Sequence, residues 1–170
     1  MAKVGIRVRS YNVGFGDCFL VTFPDGTKTR NMVVDFGNAP GQLNTGYPEI
    51  AKNIFEETGG HLDLVVMTHE HLDHIEGFYA QKKVFDKMKV DYVWMSLPSH
   101  PTYYNDYPKA QPLKKIRELA AKFERRIRAN QLAVAPSFLM LLRNNLSNPE
   151  RINYIRNLAS NSKRVLYLSR

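Results

Sequence analysis

The chain is poor in cysteine, in long apolar runs and in repeats. Cysteine occurs once, as Cys18, which excludes an internal disulfide framework and a cysteine-based zinc finger. A single thiol fits a reducing compartment, and a cytoplasmic protein is the expectation. No apolar stretch approaches the ~18 residues that a membrane-spanning helix needs, so no membrane partner is expected. Residues 1–10, MAKVGIRVRS, lack the apolar core of a secretory signal. No internal repeat or low-complexity tract is visible.

What is present suffices for one domain with a core: 170 residues, 44% hydrophobic and 24% charged, a balance that excludes a wholly disordered chain. The net charge of +8 is unevenly placed. Residues 1–76 carry six Lys/Arg against ten Asp/Glu, a net of −4. Residues 77–170 carry eighteen against six, a net of +12. An anionic partner would suit the second half, although a solvated helical surface explains the same charge more simply.

The first third reads as strand. Val4, Ile6 and Val8 alternate with polar or small residues. The runs Cys18 to Phe23 and Met32 to Val34 flank the turn Pro24-Asp25-Gly26-Thr27, which predicts a hairpin. Residues 38–47 look like a loop. Pro48 opens a helix that Gly59-Gly60 stops. Leu62 to Met67 reads as a buried strand, 77–88 as a helix and Val90 to Met95 as another strand. Four prolines within 97–112 predict an irregular insertion. Basic helices follow over 113–160, with Leu113, Ile116, Ala120, Phe123 and Ile127 forming one apolar face. Ser147-Asn148-Pro149-Glu150 resembles a capping box that opens the last of them. Arg164 to Ser169 reads as a final strand. The sum is an α/β fold, with α and β layers in a single domain over 1–170.

The chemistry concentrates in Thr68-His69-Glu70-His71-Leu72-Asp73-His74. Three histidines and two carboxylates occupy six positions directly after a buried strand. In extended chain His69 and His71 leave the same face and can close on one ion. Asp73 and His74 follow where the chain bends toward a helix. They can serve a second ion, or Asp73 can hold a water. Imidazole and carboxylate together suit borderline divalent metals such as Zn²⁺. The H-E-x-x-H zincin spacing does not fit, because no histidine stands at 73. Glu70 alternates away from its neighbours, and Cys18 reads as an inert core thiol. His61 has no evident partner.

The segment resembles the H-x-H-x-D-H signature of the metallo-β-lactamase superfamily. Two weaker motifs stand in matching order: Asp35-Phe36-Gly37 at a strand end, and Val13-Gly14-Phe15-Gly16-Asp17-Cys18, which is similar to the V-G-x-G-D segment of the ComEC-like branch. The resemblance covers residues 4–95. It implies a four-layer αββα sandwich with metals at one edge of its sheets. One or two Zn²⁺ ions, or Mn²⁺ or Fe, would serve a hydroxide that attacks an ester-type substrate, with a phosphodiester preferred. By position, His69 and His71 would hold the first metal. Asp73 and His74 would hold the second, with Asp73 also orienting the attacking water. Asp35 would lie behind them and accept a histidine N–H.

The resemblance also implies later ligands, yet only His100, Asp86, Asp91 and Asp106 follow as histidines or aspartates, and His100 reads as a loop residue. That shortfall, with the bare apolar strand Val165-Leu166-Tyr167-Leu168, leads to the expectation that the chain is an N-terminal portion of a longer hydrolase or a shortened product. The alternative is a non-catalytic module of the same fold. It would grip nucleic acid through Lys114, Lys115, Lys122, Arg125, Arg126 and Arg128, with Tyr103, Tyr104 and Tyr107 stacking on bases. A solvated helix face beside a tyrosine loop is the preferred account of those residues.

Overall fold

A computed structural model describes residues 5–39, 46–129, 132–144, 146, 148–159 and 164–168. Val4, most of the 38–47 loop, Ser147 of the expected capping box, and Ser169 lie outside them. The fold is mixed α/β. Six strands, β1 (Arg7–Ser10), β2 (Cys18–Asp25), β3 (Lys28–Phe36), β4 (His61–Met67), β5 (Lys89–Ser96) and β6 (Val165–Leu168), form one sheet in sequential order. The expected hairpin is there: β1–β2 and β2–β3 pair antiparallel, with Asp25 opposite Lys28 at the turn. From β3 onward every pairing is parallel, so each later strand is reached by a helical crossover.

Helix α1 (Tyr47–Thr58) makes the first crossover; Pro48 sits in its first turn, and Gly59 ends it in the left-handed region at φ 61°. Helices α2 (Leu72–Ala80) and α3 (Lys82–Phe85) make the second. The helix expected over 77–88 therefore starts five residues earlier, inside the histidine segment, and breaks at Gln81. Asp73 in its first turn complements the helix dipole, which the apolar periodicity of the later residues did not register. The third crossover holds α4 (Tyr103–Asp106), α5 (Gln111–Arg128), α6 (Pro136–Asn144) and α7 (Pro149–Arg156). The Pro-rich stretch is less irregular than expected, because Leu97–Ser99 and Pro108–Ala110 form 3-10 turns around α4. Asn148, which makes no side-chain cap bond, occupies the N-cap of α7.

One face of the sheet is the core. Leu20, Val33, Leu62, Val65 and Val93 pack there against Ile50 and Ile54 of α1, Ile75 and Phe78 of α2, and Ile152 and Ile155 of α7. Phe36, at the end of β3, is fully buried among the rings of Tyr47, Phe78 and Phe85 at 4.9–6.0 Å. Its truncation to alanine would cost about 3–5 kcal/mol. A Cβ at Gly77 would come within 2.5 Å of the Phe36 ring, so α2 lies close on the strand end only because that position is bare.

The other face is apolar and open. Val8, Val21, Met32, Leu64 and Tyr92 form one row across the sheet, and Phe19, Val34, Val66, Trp94 and Leu166 form the next. Val8, Tyr92, Trp94, Leu166 and Leu168 are exposed. The expected apolar face of α5 is likewise only partly used: Ile127 is buried, whereas Leu113, Ile116 and Leu119 are exposed. Helix α5 packs mainly on α6 and the 3-10 turn before it, and this leaves the N-terminal part of its stripe uncovered among the described residues. Among the described residues no helix is long and apolar enough to cross a membrane.

Candidate metal centre

Parallel strands deliver their C-terminal ends, and the loops after them, to one edge of a sheet, where α/β folds bind ligands. Here β3 ends at Asp35-Phe36 and β4 at Met67, side by side. Asp35 is the one non-glycine described residue at positive φ, 54°, a conformation that costs about 1–3 kcal/mol unless its surroundings enforce it. Its carboxylate supplies that enforcement. Oδ1 accepts the Thr68 N–H at 2.9 Å, and Oδ2 accepts the Thr68 hydroxyl at 2.6 Å. Oδ2 also stands 2.9 Å from His74 Nδ1.

These bonds fix two tautomers. The single hydroxyl proton of Thr68 is given to Asp35, so the Thr68 oxygen can only accept from His69 Nδ1, 3.0 Å away. His69 thus carries its proton on Nδ1 and presents the lone pair of Nε2. His74 likewise donates Nδ1–H to Asp35 and turns Nε2 toward Asp73 Oδ2, at 3.7 Å. One buried carboxylate orients both rings, directly and through a threonine, which is how supporting groups hold metal-binding histidines.

The structure brings the four residues of the sequence motif together. Ligand atoms of His69, His71 and Asp73 all lie within 4.8 Å of one another. The His69 ring centroid is 4.6 Å from that of His71 and 3.8 Å from that of His74. Asp35 lies behind His74. Burial, joined by the neighbouring imidazoles, lowers the pKa of His69. Burial also lowers that of His71, against the pull of Asp73. Both are therefore neutral near pH 7, the form that binds metal. His74 moves the other way: burial opposes its charge, but the Asp35 hydrogen bond and the carboxylates around it raise its pKa.

Asp73 shows most directly that the arrangement suits a cation. Its Oδ1 is buried with no hydrogen-bond partner, an expensive state for a carboxylate oxygen that a bound cation would relieve. Two histidines and a carboxylate converging from one side match the donor set of Zn²⁺, Fe²⁺ or Mn²⁺ sites. A cavity of about 810 Å³ opens beside them, lined by His69, His71, Trp94, Tyr103, Arg117 and Leu168 among others.

The glycine motifs supply the other wall. A Cβ at Gly16 would sit 2.4 Å from the Asp73 carbonyl oxygen, and one at Gly37 2.3 Å from that of Leu72. Both approaches are closer than any side chain permits. Across this contact Asp17 N–H donates to Asp73 O at 3.1 Å, and Gly37 N–H to Asp17 O at 3.1 Å. Asp17 itself reaches within 3.6 Å of His74 Nδ1; the sequence motif contained it without assigning it a role.

Glu70 is buried in an ion pair with Arg117. That partner escaped notice because nothing local links positions 70 and 117. His61, expected to be partnerless, stands 2.8 Å from Asp91. With Asp63 it forms a third His/Asp cluster, after those of His69, His71 and Asp73 and of Asp17, Asp35 and His74, at the opposite end of the strands, but Arg30, Lys89 and Arg164 already neutralise its carboxylates. His100 meets the Tyr167 ring in a T-shaped contact with centroids 4.5 Å apart and is not among the clustered ligands of the described residues. Cys18 is buried, and burial raises its pKa far out of the reactive range.

No protein-family model matches this chain, and no curated protein sequence matches it either.

Proposed function

We propose that the chain is a metal-dependent hydrolase of the metallo-β-lactamase type. The observation that carries the reading is the convergence of His69, His71 and Asp73 around the unpartnered Asp73 Oδ1 at the carboxyl edge of the sheet. His69 and His71 would hold one Zn²⁺, or Mn²⁺ or Fe, and Asp73 with His74 a second. A divalent cation supplies Lewis acidity and brings the pKa of a coordinated water down to about 7. Asp73 orients the attacking water, while Asp35 keeps the His69 and His74 rings turned inward. The 810 Å³ cavity receives an ester-type substrate. A phosphodiester is preferred for the net charge of +12 after residue 76 and for the likeness of Val13 to Cys18 to the ComEC-like branch. The αββα sandwich belongs to the same proposal; its second sheet would cover the row from Val8 to Tyr92. The test is metal content per purified chain, followed by side-by-side assay of a phosphodiester, a thioester and a β-lactam. Turnover that His71→Ala abolishes is the expected result. Absence of metal, or activity on the β-lactam alone, would contradict the reading as stated.

A second reading, a non-catalytic module that binds nucleic acid, has its own support. Lys122, Arg125 and Arg126 surround an open cavity of about 680 Å³ with Leu119 and Phe123. Salt-dependent binding of single-stranded DNA by a chain without bound metal would favour it.

A further inference from the structure

Helix α2 begins inside the metal-ligand segment, and its first turn has the usual unsatisfied N–H groups. Its N-cap, His71, makes no side-chain cap bond. The cap comes instead from elsewhere in the chain: Asn144, the last residue of α6, is buried, and its Oδ1 accepts the Asp73 N–H at 3.1 Å. The Asp73 carbonyl is held from the opposite side by Asp17 N–H at 3.1 Å. Asp73 is thus fixed at both ends of its backbone by different parts of the fold, and the carboxylate between them carries the unpartnered oxygen. A second tie lies three residues before Asp73, at Glu70 between His69 and His71. There Arg117 of α5 pairs with the Glu70 carboxylate and donates to Tyr104 Oη at 2.9 Å.

We propose that Asn144, supported by the Glu70–Arg117 pair, is a positioning residue for the metal ligands. The α5–α6 arm then does more than cover the site: it sets the angle at which Asp73, His69 and His71 meet the ion. The inference rests on the metal reading above, but the clamp itself is a property of the metal-free chain. In the basic half of the molecule, these two contacts reach the ligand segment itself. Arg151 of α7 also pairs with α2, but at Glu76, beyond the ligands.

The experiment uses the full chain, Co²⁺ as a spectroscopic probe, and amide hydrogen exchange of the metal-free protein. Asn144→Ala removes the acceptor; Asn144→Asp keeps it. Asn144→Ala is expected to weaken Co²⁺ binding by about 10–100-fold, to shift the visible Co²⁺ bands, and to speed exchange at the Asp73 amide while the β3 and β4 amides keep theirs. Asn144→Asp is expected to restore the slow amide and the parent spectrum, which a merely structural role would not predict. Arg117→Met, which keeps a long stem but has no N–H to give to Glu70 or Tyr104, covers the case in which Asn144→Ala does not fold; it is expected to shift the Co²⁺ bands in the same sense. Parent-like bands and affinity in Asn144→Ala and in the Arg117 variant, or an unchanged Asp73 amide in Asn144→Ala, would overturn the proposal. If the parent chain binds no Co²⁺, the metal reading fails by itself, and the exchange at Asp73 alone decides the clamp.

Discussion

The two walls of the ligand segment are built by opposite means. On the sheet side, Gly16 and Gly37 let backbone lie directly on backbone, and the contact is held by main-chain hydrogen bonds at 3.1 Å. On the helical side, α5 and α6 reach the segment through the tips of side chains, Arg117 and Asn144. The first wall is acidic and made of main chain. The second is basic and reaches back across 47 to 71 positions. A backbone wall tolerates no added atom, whereas a side-chain wall can be loosened by degrees. The sheet side therefore decides whether the site exists, and the helical side adjusts it.

That contrast can be broken at several strengths. The largest effect is expected from Gly37→Ala, whose Cβ would meet the Leu72 oxygen at 2.3 Å. A loss at or above the upper end of the roughly 1–3 kcal/mol usual for overpacking should appear in urea unfolding, along with loss of bound metal. Next comes His71→Ala, which removes a ligand without filling space. Metal stoichiometry should fall, while the unfolding midpoint of the metal-free chain moves by less than about 0.5 kcal/mol in stability; unchanged stoichiometry would remove His71 from the ligand set. Asp35→Asn keeps a residue that tolerates positive φ but replaces the carboxylate that receives Thr68 and His74. Metal affinity should drop by about 10–100-fold, measured by competition with a chelator.

The smallest effect lies far out on the helical side. Glu124 is buried and accepts from Arg128 and, at 3.0 Å, from Arg143. Burial opposes its charge, but the two guanidinium groups outweigh it and hold its pKa below the ordinary value. A depressed carboxylate stabilises the fold above its unfolded pKa, and this contribution is lost as pH falls through the folded value. Glu124→Gln should then cost about 1 kcal/mol at pH 7, and the gap from the parent should close below about pH 4. A gap that persists in acid would mean that the pair contributes by packing alone.

Much of the sheet side was legible in the sequence because its signals are local. Alternation marks β2 and β3, glycine and proline bound α1, and the spacing of His69 and His71 follows from the two-residue period of an extended chain. The start of α2 was misplaced because its first turn is polar and its cap comes from Asn144, which no window around residue 72 contains. The roles of Thr68 and Asp17 were hidden for a related reason: each depends on the position of Asp35, and that position depends on parallel pairing between β3 and β4. On α5, periodicity correctly indicated an amphipathic helix. It could not say which part of the apolar stripe would find a neighbour, and only the end near Ile127 did.

The sequential strand order has a consequence for how the molecule acquires its shape. Every strand through β5 pairs with its immediate predecessor in the chain, so loop closure costs little at each step and such contacts form early. Asp35, the histidines and both glycine contacts all lie in the part of the chain up to β5. The crossover to β6 is much longer and carries Arg117 and Asn144 within it. The expected folding order separates in time what the structure separates in space, with the ligand segment assembling before the helical arm closes on it; pulsed hydrogen exchange that protects β6 and α6 before β3 and β4 would reverse it.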